Sequence, residues 1–183
     1  MLIQPCFAGT LHFFQRGQQK ETTAATTYYD AGILLLKNNE NDSAYTNFIK
    51  GHELATKVDN PYLIALGNYH LGVYYYQTKN IPIAITFIND ALVSFENQNR
   101  KTDASKCYYK LGRIYKNISD FEKALSYSFN ALTISEVLKD EKEIVRASTQ
   151  IGSIYLITGD YKASDYNFNR AFQLQEKNND NKG

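Results

Sequence analysis

The amino-acid sequence predicts an all-α fold, an α-solenoid of four helix-turn-helix repeats, and three observations carry that expectation. Gly32, Gly72, Gly112 and Gly152 stand 40 residues apart, so one period covers most of the chain. Polar turn sequences return in the same register. Between them the apolar residues follow helical spacing, and no stretch shows the sustained alternation of a strand.

Each unit can be justified in turn from the positions that recur. Three residues past the glycine stand Leu35, Tyr75, Tyr115 and Tyr155; twelve past it stand Ala44, Ala84, Ala124 and Ser164; nineteen past it stand Gly51, Ala91, Ala131 and Ala171. Small residues at these places let two helix backbones approach, with larger side chains interdigitating around them. In the third unit Cys107, Leu111, Ile114 and Ile118 follow an i, i+4, i+7, i+11 pattern; in the second, Ala84, Phe87, Ala91 and Leu92 mark the inner face of a second helix. Each period therefore holds two antiparallel helices. The turns between them read Asn38 to Asp42, Thr78-Lys79-Asn80, Ser119-Asp120 and Thr158-Gly159-Asp160, and Asn80, Asp120 and Asp160 share one repeat position, where a short polar side chain can cap the following helix. Pro82 falls in the first turn of its helix, where a missing N–H costs nothing. The repeats are expected over residues 24–177, at about 24–60, 61–100, 101–140 and 141–177. Residues 1–23, with Phe7, Phe13 and Phe14, fall outside the period and are either a cap on the first repeat or a disordered extension; residues 178–183 form a polar tail.

Composition and charge remove several function classes. In 183 residues, 43% hydrophobic and 21% charged, the balance is that of a folded globular chain. Twenty basic against nineteen acidic side chains leave a formal charge of +1, so no global field favours nucleic acid or an anionic membrane. Neither partner is expected. No apolar run approaches the ~20 residues of a membrane-spanning helix, and the N-terminus lacks the basic stretch of a secretory signal, so a cytoplasmic location is expected. Cys6 and Cys107 are too few and too far apart in sequence for a disulfide framework. His12, His52 and His70 have no partner at metal-ligand spacing, and no phosphate-binding, nucleophile-elbow or zinc-hydrolase motif occurs. No metal, no cofactor and no enzymatic activity is expected. The two Asn-x-Ser triplets, at Asn41 and Asn117, are read as chance matches in an asparagine-rich chain.

The pattern resembles the tetratricopeptide repeat (TPR), whose signature is a large residue, Leu-Gly, Tyr, Ala, an aromatic and Ala at fixed offsets. The third unit carries it as Tyr108, Leu111, Gly112, Tyr115, Ala124 and Ala131, with Ser128 at the aromatic position. The fourth has Ile151, Gly152, Tyr155, Phe168 and Ala171 with Ser164 for the first alanine; the second has Leu71, Gly72, Tyr75, Ala84, Ile88 and Ala91; the first keeps Gly32, Ala44 and Phe48. The period of 40 departs from the common one of about 34. Long repeats of this kind are similar to those of bacterial Rap-type regulators, of TPR-containing sensor kinases and of kinesin light chain. The resemblance implies a right-handed α-solenoid that binds a peptide or protein in its concave groove as an adaptor or sensor, without catalysis. The phosphatase activity of Rap-type proteins requires an N-terminal helical bundle, for which residues 1–23 are too short.

The resemblance also implies where the groove lies, on the first helices at positions three before and one, four and five after the glycine. Those offsets assign Tyr29, Tyr69, Tyr76, Tyr109, Arg113, Lys116 and Asn117 to the ligand-binding groove, and Lys106 and Arg146 join them six before the glycine. The groove is then aromatic and apolar in the first two repeats and basic in the last two, which fits a protein or peptide with acidic groups. Two structural readings compete: the tyrosines can serve to pack one repeat on the next, and the cations can be a solvated surface. Tyr29 and Ile33 stand where the carboxylate clamp of chaperone-binding members has lysine and asparagine, which disfavours that clamp. Two further functions compete with the adaptor: a fragment of a larger bacterial signalling regulator lacking its effector domain, and an architectural array that self-associates through an open C-terminal end carrying Phe168, Phe172 and Leu174.

Overall fold

The computed structural model describes the backbone of residues 6–180 and the side chains of residues 16–177. Among them the regular structure is entirely helical: α1 (Cys6–Lys37), α2 (Asn41–Lys57), α3 (Pro61–Gln77), α4 (Ile81–Asn97), α5 (Lys101–Asn117), α6 (Phe121–Leu138), α7 (Glu141–Thr158) and α8 (Tyr161–Asp180). This is the all-α fold class the sequence predicts. Residues 6–23 are helical and continuous with the rest of α1; the side chains of Phe7, Phe13 and Phe14 and all of residues 1–5 lie outside the described residues.

The 40-residue period divides into two equal halves. Asn39, Asp59, Lys79, Asn99, Ser119, Lys139 and Gly159 all have positive φ, one every 20 residues, with values from 49° at Asp59 to 85° at Gly159. Just after each, an amide reaches back five residues to a helical carbonyl: Glu40 to Leu35 at 2.9 Å, Asn80 to Tyr75 at 2.8 Å, Asp120 to Tyr115 at 3.0 Å and Asp160 to Tyr155 at 3.0 Å. A left-handed residue followed by that bond is the Schellman stop, which satisfies carbonyls the helix end leaves open. The same residue then starts the next helix, for the carboxylates of Asp120, Asp140 and Asp160 accept from the amides of Lys123, Glu143 and Ala163 at 3.2, 3.1 and 3.0 Å. Asn60 does the same for Leu63 at 3.1 Å, ahead of Pro61 at the first helical position.

The chain forms two compact units, one ending at Phe87 and one beginning at Ile88. In the first, Tyr29, Leu36, Phe48, Leu63 and Leu71 are buried among Ala25, Ala44 and Ala55. Its helices interlock reciprocally: a Cβ on Gly32 of α1 would lie 2.5 Å from the Phe48 ring of α2, and one on Gly51 of α2 would lie 2.6 Å from the Tyr29 ring of α1. Each glycine is a seat for the other helix's aromatic.

The second unit keeps the geometry but changes the chemistry in its third repeat. A Cβ on Gly152 would lie 3.1 Å from the Phe168 ring, whereas one on Gly112 would meet Ser128 Oγ and Gln150 Nε2, each at 2.6 Å. Ser128 is shorter than the aromatic found at this register in Phe48 and Phe168, and Gln150 of α7 fills the space. Its amide donates to Ser128 Oγ at 2.7 Å and to the Tyr109 carbonyl at 3.2 Å, while Ser128 donates to the Ala124 carbonyl at 2.6 Å. Buried polar groups are tolerated because they are bonded. Ser164, in place of the family's alanine, is likewise buried and donates to the Gly152 carbonyl at 3.0 Å.

Candidate functional site

The nine residues assigned to the groove separate into those of the first unit and those of the second. Tyr29 is a correction. It is buried, its hydroxyl donates to the Leu63 carbonyl at 3.0 Å, and its ring fills the seat on Gly51. The family offset marks a helix face, and in this first repeat that face turns into the core because Gly51 leaves room for a ring. Burial also drives its phenol upward in pKa. Tyr69 is half-buried, edge-on to His70 at 5.5 Å between ring centroids, and Tyr76 is half-buried.

In the second unit α5 carries Lys106, Tyr109, Lys110, Arg113, Lys116 and Asn117 at i, i+3, i+4, i+7, i+10 and i+11, a single stripe of a helix. Arg146 reaches this stripe from α7, its guanidinium 4.6 Å from the centre of the Tyr109 ring. That stacking is worth about 0.5–1 kcal/mol at an exposed site. Lys116 crosses to α7 by donating to Ser153 Oγ at 3.2 Å. Two carboxylates position the cations: Asp103, itself buried, pairs with Arg100 and Lys106, both at 3.1 Å, and Glu143 pairs with Arg146 at 2.7 Å. Arg113 and Asn117 are exposed.

Lys110 is absent from the family's offsets, yet it sits within the stripe. Burial, and then the charges of Arg113 and Arg146, push its ammonium down to about 8. A cation pressed by two others marks where a negative group would be most stabilised. Its signal in the sequence was the i+4 spacing from Lys106. Gln150 also lies outside those offsets; it holds α7 to α5 from beneath by bonding the Tyr109 carbonyl.

Cys107 is fully buried, and that burial raises its thiol far from a reactive thiolate. Among the described residues no three His, Cys, Asp or Glu side chains come together as metal ligands, and no helix is long and apolar enough to cross a membrane.

Comparison with known proteins agrees with the repeats. The human protein "Tetratricopeptide repeat protein 29" is 23% identical over 146 residues, covering 80% of this chain but 31% of its own length, so the chain spans about a third of that relative. Among solved structures, BtubC from P. vanneervenii has a TM-score of 0.76 at 18% identity, covering 85% of this chain and 64% of that one. Aspartyl phosphate phosphatase F from Bacillus subtilis also has 0.76 at 18% identity, covering 96% and 47%. A Rap protein complexed with competence and sporulation factor has 0.74 at 21% identity, covering 94% and 49%. These likenesses show the TPR-like solenoid fold. The family model described as "Soluble NSF attachment protein, SNAP" matches residues 6–182, nearly the whole chain, and this protein therefore belongs to the SNAP family of TPR-like repeat proteins.

Proposed function

We propose that this chain is a protein-binding adaptor that holds an acidic, aromatic-bearing segment of a partner protein against the α5–α7 face. The carrying observation is the stripe of Lys106, Lys110, Arg113 and Lys116 joined by Arg146 over Tyr109. Cations next to a half-buried tyrosine offer charge-assisted hydrogen bonds and an amphipathic contact at low side-chain entropy. The solved Rap complex holds competence and sporulation factor on a similar fold, which supports a ligand-holding role. The SNAP family's description as attachment proteins favours a protein partner, and attachment to NSF is the first candidate. A place within a larger signalling regulator is a second reading, favoured by the 31% coverage of the human relative.

The test is fluorescence anisotropy with labelled peptides pairing aromatic and acidic residues, against the same peptides with lysine for each acid. The acidic set should bind and the basic set should not. Tyr109→Ala should weaken binding about tenfold, equal to about 1.4 kcal/mol. Arg113→Ala with Lys116→Ala should weaken it and flatten its dependence on salt, since exposed charges are screened over ~10 Å at 0.1 M. Equal binding of both peptide sets, or wild-type binding by both variants, would remove this face as the site.

A further inference from the structure

The repeat register specifies what each second helix packs against, and it leaves two complementary faces open. In the first unit Gly67 of α3 lies against His52 of α2, where a Cβ would come within 2.8 Å of the imidazole. In the second unit the register equivalents, Ala147 of α7 and Leu132 of α6, share one buried cluster with Ile144 and Ile151. The next pair in this series is Phe172 of α8, which is 56% exposed where Leu132 is 5% exposed. The helix that would cover it has, at the positions of Ile144, Ala147 and Ile151, a small side chain flanked by apolar ones.

The outer face of α1 has that form. Forty-residue steps back from Ile144, Ala147 and Ile151 lead to Ala24, Thr27 and Ala31, of which Thr27 is exposed and the two alanines half-exposed. Thr27 and Ala24 line an open groove with Arg16, Lys20, Thr23 and Tyr28. The charges at the rim match as well. Glu96 and Arg100 line one cavity at the junction of α4, α5 and α6. Their register equivalents are Glu176 on α8 and Lys20 on α1, both exposed and of opposite sign. Because α1 runs past the point where α3, α5 and α7 begin, Lys20 and Arg16 prolong the same helical face.

We propose that this protein associates head to tail with a second copy of itself, α8 of one copy packing on α1 of the next with Phe172 over Thr27 and Glu176 beside Lys20. Such an interface is heterologous: each copy keeps one open face, so association continues beyond a dimer or closes as a ring. It uses neither Tyr109 nor the basic stripe and is independent of the adaptor reading.

Sedimentation velocity of the purified chain tests it. The wild type should grow in mass with concentration past a dimer. Phe172→Glu and Thr27→Glu, both at exposed positions, should each keep the helical circular dichroism spectrum and remain monomeric, with association weakened about tenfold or more. Mixed at equal amounts they should form a dimer and nothing larger, because one retains an intact α1 face and the other an intact α8 face. The Arg113→Ala and Lys116→Ala double variant should assemble as the wild type does. A wild type that stays monomeric at all concentrations overturns the proposal, and so does a Thr27→Glu variant that still dimerises, since that result means α8 pairs with α8.

Discussion

At Gly112 a single hydrogen atom separates α5 from Ser128 and Gln150, because a Cβ there would stand 2.6 Å from each. Gly112→Leu therefore cannot be absorbed by one flexible neighbour. It must displace the amide that bonds both Ser128 and the Tyr109 carbonyl, and overpacking of this kind costs about 1–3 kcal/mol. Urea unfolding should show that loss in the midpoint; an unchanged midpoint contradicts the close contact. Lys110 makes a second prediction at this scale. Its folded-state pKa lies at about 8 against an ordinary 10.5, so between those values the unfolded chain binds a proton that the folded chain has given up. Stability then rises with pH through that window, and the charged ammonium is a cost at pH values below it. Lys110→Met should raise stability at pH 7, on the order of 1 kcal/mol, and the gain should shrink towards pH 10 as the wild-type lysine discharges. Equal gains at both pH values would mean that burial and the neighbouring Arg113 and Arg146 do not hold the Lys110 ammonium down.

The turns are the features that make each element stop where it does. Among the described residues six of the seven left-handed positions are occupied by residues with a Cβ, and the seventh is Gly159. A left-handed residue with a Cβ costs about 1–2 kcal/mol, which the five-residue back bond and the following cap must offset. Lys79→Gly should thus raise the melting temperature, and Gly159→Val should lower it by an amount equivalent to about 1–2 kcal/mol. Thermal unfolding followed by circular dichroism reads both, and matching changes at the two sites would contradict the backbone account. The sequence made these turns visible as polar clusters, but not their conformation. Lys79, Asn99 and Lys139 carry no common side-chain signal, because what selects the left-handed state is the return of the chain for the next helix.

At the scale of the whole chain, stacking on a neighbour is what buries each helix pair, so helices that lack one should open more easily. Phe172 is 56% exposed where its register equivalent Leu132 is 5% exposed. Amide hydrogen exchange at low protein concentration should accordingly be faster for residues 172–177 than for residues 132–137. Raising the concentration should slow it in the first segment alone if α8 becomes covered. Uniform protection of the two segments would show that α8 is held by contacts other than stacking. Much of the proposed binding face is drawn from repeat offsets, which supply Lys106, Tyr109, Arg113, Lys116 and Arg146, and Arg146 reaches Tyr109. Lys110 lies outside those offsets, because offsets inherited from a family name positions and not the neighbours that a different set of side chains creates.

Sequence alone determined the all-helical class, the four repeats and the seats at Gly32, Gly112 and Gly152, because periodicity and residue size are local properties that any helix pair must express. Tertiary structure decided which way each side chain faces. Tyr29 occupies the same repeat position as Tyr69 and Tyr109, yet it is buried because Gly51 and Gly67 leave space around its ring. The missing aromatic at Ser128 is compensated by Gln150, more than twenty residues away in another helix. Both outcomes depend on the volume and hydrogen-bonding of residues brought together only by packing, which a single repeat's pattern does not contain.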